Sequence, residues 1–292
     1  MESQEHEDAM STTYQQLWRR LTPLFDDGEA KAIVRTILEE RFGLSMADIL
    51  CYGTERLEAD ERTMLEQMML RLSKSEPVQY VLGEAPFMGR CLHVEPGVLI
   101  PRPETETLCQ WVEETWENGA PDILDIGCGS GCIAVTLALD IPEARVTAFD
   151  ISQKALEVTR RNATTLGAVV TVVEKDILKA AEETDTEGRF DIIVSNPPYI
   201  CQHEAQEMHP NVLQHEPGIA LFVPDNDPLL FYKAIARYAR RTLRQGGCLF
   251  FECNPDHLAD TVLMLKDARF RDVETRDDPF GKPRFAKASV KN

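Results

Sequence analysis

The chain has 292 residues, long for one domain and comfortable for two, and 43% of them are hydrophobic, the ordinary globular range. Its formal net charge of −18 opposes loose attraction to duplex phosphate, which counts against a free nucleic acid substrate and favours a protein partner of basic character. Eight cysteines without a C-x-x-C pair, no apolar run near the roughly 20 residues of a membrane span, and an acidic start at Met1–Asp8 that is neither signal nor transit peptide lead us to expect reduced thiols in a soluble, cytoplasmic protein.

Residues 11 to about 74 read as all-helical. Tyr14, Leu17, Trp18, Leu21, Leu24 and Phe25 recur at helical spacing behind a cap at Ser11 or Thr12, and Ile33, Val34, Ile37, Leu38 and Phe42 repeat the pattern up to a stop at Gly43. A short helix at Met46–Leu50 and another carrying Leu65, Met68, Met69 and Leu72 complete a small bundle whose methionine face serves as core. Glu76-Pro77 ends it, and Phe87-Met88 and Cys91–Val94 flank Gly89-Arg90 as a hairpin. Next comes Ile100-Pro101-Arg102-Pro103-Glu104-Thr105-Glu106, a stiff segment feeding a helix through about Asn118, with its acids in the favourable first turn. We therefore divide the chain into a helical domain at 1–74, a hairpin linker at 75–103 and a main domain at 104–292.

From residue 121 strands and helices alternate. Strands are expected at Ile123–Ile126, Arg145–Phe149, Val170–Val173, Phe190–Ser195 and Cys248–Glu252, with a closing pair at Asp272–Thr275 and Arg284–Val290. Helices are expected after the glycine loop to about Leu139, from Ser152 to about Leu166, and near 228–244 and 256–267. Such alternation predicts an α/β fold with a doubly wound, mostly parallel seven-stranded sheet and a ligand above the carboxyl ends of its strands.

The chemistry gathers at those ends. Gly127-Cys128-Gly129-Ser130-Gly131, between a strand and a helix, lets backbone approach a ligand closely, but its spacing is not the dinucleotide G-x-G-x-x-G. Asp125 before the loop would repel a pyrophosphate and suits a cationic ligand. Asp150, at the second strand end, can accept ribose hydroxyls, and Asp176, at the third, can reach an adenine amine. After the fourth strand stands Asn196-Pro197-Pro198-Tyr199, where two prolines forbid continuation of the ladder and leave a stiff loop.

Three acids at three strand ends beside a glycine loop resemble the class I methyltransferases that use S-adenosylmethionine. The resemblance implies that Gly127–Gly131 cradles the methionine part, that Asp150 and Ile151 lie at the ribose, and that Asp176 and Ile177 border the adenine. Asn-Pro-Pro-Tyr resembles the motif of those members that methylate planar amino groups, in adenine, cytosine, guanine or a glutamine amide. Such a nitrogen has a delocalised lone pair. The Asn196 oxygen and the Pro197 carbonyl would accept its two N–H bonds and aim it at the methyl carbon, with Pro198 and Tyr199 packing on the flat group.

The Ile100–Glu106 segment, the hairpin, the helical domain, Glu216-Pro217 with Ala220-Leu221, and Phe280-Gly281-Lys282-Pro283-Arg284 together resemble the peptide chain release factor glutamine N5-methyltransferases over residues 11–290. The resemblance implies a substrate in the Gly-Gly-Gln loop of class I release factors, Arg102 and Glu104 at the substrate side, a helical domain that contacts the factor elsewhere, and a monomer. Two departures stand out: Cys128 replaces a frequent threonine, and Glu252-Cys253-Asn254 lacks the usual glycine and glutamine after its acid, so no role is carried to that exit. Cys201, His203, His209 and His215 match no common zinc spacing, and we expect a lid there and no metal. Two rivals remain. A nucleic-acid amino-methyltransferase is disfavoured by the charge and the lack of a basic stripe or target-recognition insert, and an inactive cofactor-binding scaffold is disfavoured by the intact Asn196–Tyr199 loop.

Overall fold

The computed structural model describes residues 12–116, 119–182 and 188–291. They fall into two units, Met1–Leu82 and Gly83–Asn292.

The first unit holds α1 (Tyr14–Arg19), α2 (Asp27–Phe42), α3 (Met46–Tyr52), α4 (Ala59–Leu72) and α5 (Val78–Leu82). The cap of α1 is Thr13, whose side chain accepts from the Gln16 N–H while Gln16 reaches back to the Thr13 N–H. That places the helix start past Thr12, and Ser11 lies outside the described residues. The expected long first helix stops at Arg19; Leu21 and Phe25 reach the core from turns instead. Gly43 closes α2 in the left-handed conformation at φ 64°. Met68 and Met69 pack into one core with Leu17, Ile37, Leu38 and Leu65, as their spacing on α4 requires. This unit runs to Leu82, because α5 puts Val81 into that core and the Arg71 guanidinium binds the Tyr80 and Val81 carbonyls at 2.8 and 3.2 Å.

The second unit opens with a hairpin, β1 (Glu84–Phe87) and β2 (Arg90–His93). Its turn is Met88-Gly89, one residue earlier than expected, with φ of 47° and 69° at the two central positions. The hairpin is part of this unit, since Asn162 accepts from the His93 N–H at 2.8 Å and donates to the His93 carbonyl at 2.9 Å. Then follow α6 (Pro103–Thr115), β3 (Asp122–Ile126), α7 (Cys132–Asp140), β4 (Arg145–Asp150), α8 (Gln153–Leu166), β5 (Val170–Glu174), α9 (Ile177–Ala180) and β6 (Phe190–Ser195). The expected helix end near Asn118 lies outside the described residues. The chain continues through β7 (Ile200–Cys201), α10 (Pro210–His215), β8 (Phe222–Val223), α11 (Leu230–Thr242), β9 (Leu243–Glu252), α12 (Leu258–Asp267), β10 (Arg271–Asp277) and β11 (Pro283–Ser289). β9 starts five residues before Cys248, absorbing the Gly246-Gly247 pair expected to precede it.

The seven-stranded sheet has the order β10-β11-β9-β6-β3-β4-β5, and only β11 runs antiparallel to its neighbours. Helices cover both faces, with apolar clusters on either side: Tyr232, Ile235 and Tyr238 of α11 in one, and Leu108, Trp111 and Val112 of α6 in the other. The order reverses direction between β3 and β6. In an open parallel sheet that reversal leaves a crevice at the carboxyl ends. Here Ile126 pairs with Ser195, so the glycine loop and the Asn196–Tyr199 loop leave the sheet side by side. Ser195 ties them further by donating from Oγ to the Ile126 carbonyl at 2.7 Å.

Candidate active site

A cavity of about 320 Å³ opens at this crevice. Gly127 to Ser130 line it on one side, Asn196, Pro197 and Pro198 on another, and Asp150, Ile151, Asp176 and Ile177 extend it along the sheet. Arg102 and Thr105 at the head of α6, and Pro217, Ile219 and Ala220 after α10, complete the rim.

The glycine loop is held by its own backbone. The Gly127 and Cys128 N–H groups both donate to the Phe149 carbonyl, at 2.8 and 3.0 Å, and the Gly131 N–H donates to the Cys128 carbonyl at 2.7 Å. Gly131 sits at φ 81°, and a Cβ there would lie 2.9 Å from the Thr159 methyl and 3.2 Å from its Cα. Only glycine permits this approach of α8 to the loop. Thr159 also donates to the Gly129 carbonyl at 3.0 Å, and Asn162 to that of Ser130 at 2.8 Å. Cys128 lies buried, touching the Thr159 hydroxyl at 3.3 Å. Burial pushes the Cys128 thiol up and that of Cys132 up to about 12, so neither is a nucleophile.

The three carboxylates occupy three different settings. Asp150 lines the cavity and accepts the Gly129 N–H at 2.9 Å and the Ser152 N–H at 2.8 Å, one on each oxygen. Burial raises its pKa, and those N–H groups offset only part of the rise. Asp176 caps α9 through the Leu178 N–H at 3.0 Å and also lines the cavity. Asp125 does not reach the lining. It is wholly buried behind the loop, one oxygen accepting the Ala134 N–H at 3.1 Å and the other with no hydrogen-bond partner among the described residues. Desolvation pushes its pKa up to about 8.

The acceptor side is knit by a residue to which sequence reasoning assigned nothing. Glu252, at the end of β9, is 1% exposed. One of its oxygens accepts the Thr105 hydroxyl at 2.7 Å and the other the Tyr199 hydroxyl at 3.2 Å, while the Asn196 amide nitrogen donates to Thr105 Oγ1 at 3.3 Å. Burial raises the Glu252 pKa, opposed by Thr105, Arg284 and Tyr199. Burial likewise raises that of Tyr199, which therefore stays a neutral phenol. Tyr199 sits behind the lining and packs against the core cluster of α11 and β9. Glu104 also stays off the lining, near enough to Arg284 and Glu252 to interact with both. The available signal for Glu252 was a single acid ending the otherwise uncharged run Cys248–Phe251.

The segment after Tyr199 is strapped to the head of α6. Glu216, buried, accepts the Ile100 N–H at 3.2 Å and the Arg102 guanidinium at 2.6 Å. Arg102 on the rim is thereby paired, and the Lys175 ammonium stands 5.8 Å over the rings of both Phe149 and Tyr238. Among His203, His209 and His215, only His203 comes within metal-ligand spacing of Cys201, together with Asp225; a second grouping joins Cys201 to Glu204 and His257. Glu204 is already engaged, by the Cys201 N–H at 2.7 Å and the Asn254 amide at 3.2 Å.

Residues 104–215 match the family model of the methyltransferase small domain, and residues 14–83 match that of the PrmC N-terminal domain. A solved methyltransferase from Pyrococcus furiosus superposes with a TM-score of 0.51 at 17% identity, over 78% of this chain and all of that one, which speaks to the fold alone. The release factor glutamine methyltransferase of Bacteroides thetaiotaomicron is 44% identical over 92% of this chain and 96% of its own length. That of Flavobacterium psychrophilum is 39% identical over 94% and 97%. The fold is that of a class I methyltransferase, and the chain belongs to the release factor glutamine methyltransferase family.

Proposed function

We propose that the chain transfers a methyl group from S-adenosylmethionine to the side-chain amide nitrogen of the glutamine in the Gly-Gly-Gln motif of class I peptide chain release factors. The observation that carries this reading is a single cavity lined by both the glycine loop and Asn196–Pro198. Its residues fit the donor. Arg102 is paired and Lys175 is engaged with rings, leaving the Asp150 and Asp176 carboxylates on the wall. Such a donor set suits a cation with ribose hydroxyls and disfavours a pyrophosphate.

S-adenosylmethionine, when bound, supplies an electrophilic methyl group on a sulfonium. The chain supplies position. Gly127, Cys128, Gly129, Ser130 and Gly131 shape the methionine end, Asp150 and Ile151 take the ribose, and Asp176 and Ile177 flank the adenine. At the acceptor, Asn196 Oδ1 and the Pro197 carbonyl take the two amide N–H bonds, so the nitrogen faces the methyl carbon. Pro198 packs on the amide plane, Tyr199 braces the loop, and Arg102 and Glu104 border the approach of the substrate chain. An amide nitrogen needs no strong base in a displacement of this kind, because its proton is lost after the positive charge has formed. The helical unit binds the factor away from the glutamine loop, and the protein works as a cytoplasmic monomer.

The test is incubation with methyl-labelled S-adenosylmethionine and either a class I release factor or DNA and RNA. Label in the release factor supports the reading. Label in nucleic acid alone turns the choice to a base methyltransferase.

A further inference from the structure

Asn196 can hold a substrate amide only if its oxygen, not its nitrogen, faces the cavity, because both positions on the substrate nitrogen are donors. A carboxamide can flip between these orientations unless its surroundings tell the two ends apart. Here they do. Glu252 accepts an O–H on each of its two oxygens, from Thr105 at 2.7 Å and Tyr199 at 3.2 Å. The two O–H donors and the nearby Arg284 charge oppose the rise that burial causes and favour the ionised Glu252, which has no proton to give, so the Thr105 hydroxyl spends its one hydrogen on that carboxylate. Its oxygen is then left only as an acceptor. The Asn196 group 3.3 Å away must therefore present its NH₂ end to Thr105. The oxygen is the end that remains for the cavity that Asn196 and Thr105 both line.

We propose that Glu252 and Thr105 are positioning residues that set the Asn196 amide with its oxygen toward the acceptor nitrogen, a role that rests on the reading of Asn196 as the amide clamp. The polarity runs one way along the chain Glu252, Thr105, Asn196. Replacing the carboxylate by an amide reverses what can be donated: the glutamine NH₂ can give to Thr105 Oγ1, freeing the Thr105 proton for the Asn196 oxygen. Asn196 would then turn its NH₂ to the cavity, opposite a substrate nitrogen that has only hydrogens to offer. Glu252 is not itself a lining residue and reaches the cavity only through Thr105, so its effect on the donor pocket is indirect.

The experiment compares the full chain with Glu252→Gln, Thr105→Val, Thr105→Ser and Asn196→Ala. A class I release factor and S-adenosylmethionine are the substrates, and turnover, KM for the factor, cofactor affinity and melting temperature are read for each. Losing a preorganised polar contact at a reacting group costs on the order of 100-fold in turnover. We expect a fall of about that size in Glu252→Gln and Thr105→Val, with cofactor affinity within about threefold of the parent, and recovery of most turnover in Thr105→Ser. If Glu252→Gln fails to fold, the Val and Ser pair at Thr105 carries the comparison. Parent-like turnover in Thr105→Val and Glu252→Gln, with Asn196→Ala crippled, overturns the positioning role and leaves the reading of Asn196 standing. Parent-like turnover in Asn196→Ala removes that reading and the positioning role with it. Equal losses in turnover, cofactor affinity and melting temperature across both Thr105 variants mark a merely structural contact and also overturn the proposal.

Discussion

Replacing Gly131 by alanine tests whether the glycine loop depends on the close approach of α8. Two separate costs apply. The backbone at φ 81° is left-handed, which costs a residue with a Cβ about 1–2 kcal/mol. The added Cβ would also stand 2.9 Å from the Thr159 methyl, 3.1 Å from its hydroxyl and 3.2 Å from its Cα, the last of which no rotamer change relieves. Forcing a methyl into such a contact costs about 1–3 kcal/mol. Gly167 separates the two, since it has φ 75° but nothing within 4 Å of where a methyl group would stand, so alanine there suffers only the backbone cost. Urea denaturation should therefore place Gly131→Ala about 1–3 kcal/mol below Gly167→Ala. Any retreat of Thr159 also breaks its 3.0 Å bond to the Gly129 carbonyl, so calorimetric titration should show weaker S-adenosylmethionine binding in Gly131→Ala alone. Equal stability in the two variants with parent-like cofactor affinity would refute the reasoning.

Asp150→Ala removes the acceptor of two loop N–H groups as well as the proposed ribose contact, so cofactor affinity should fall about 10–100-fold, the equivalent of about 1.5–3 kcal/mol. Asn196→Ala should instead lower turnover with cofactor affinity nearly intact, and titration with single-turnover kinetics distinguishes the two. Glu216→Ala leaves the Ile100 N–H without its acceptor and frees Arg102, which should cost about 1–3 kcal/mol by denaturation and raise KM for the release factor. Asp125 gives a pH signature. Its folded pKa is raised from 3.8 to about 8, so the folded state holds a proton that the unfolded state loses, and stability falls as pH rises through that window. The contribution is at most about 1.4 kcal/mol per pH unit, complete below the unfolded value and gone above the folded one. Asp125→Asn should flatten that slope in denaturation curves taken between pH 5 and about 8; an unchanged slope would show that another group titrates.

The doubly wound sheet was legible because β3, β4, β5, β6 and β9 carry a strong local signature, a short apolar run closed within a residue or two by glycine, proline or an acid. The place of the site followed from the same pattern, since the glycine loop and Asn196–Tyr199 directly follow strands that the order reversal makes neighbours. What stayed hidden depends on contacts between distant segments. Glu252 meets Thr105 across 147 positions, and Glu216 meets Arg102 across 114, and no periodicity links such pairs. Asp125 adjoins the loop in sequence, yet it is wholly buried behind it beside the Ala134 N–H and does not line the cavity. The cap of α1 at Thr13 and the hairpin turn at Met88-Gly89 each lie a residue or so from the expected place, because caps and turns are chosen by local hydrogen bonds that several adjacent residues could make.

The central claim is that the Asn196 loop holds one glutamine amide for methylation. It is tested most directly by mass spectrometry of the Gly-Gly-Gln peptide from a class I release factor after incubation with S-adenosylmethionine and either the parent chain or Asn196→Ala. The account predicts a single added methyl group on the glutamine side-chain nitrogen with the parent and almost none with the variant. An unmodified glutamine with the parent, or equal methylation by both proteins, would contradict it.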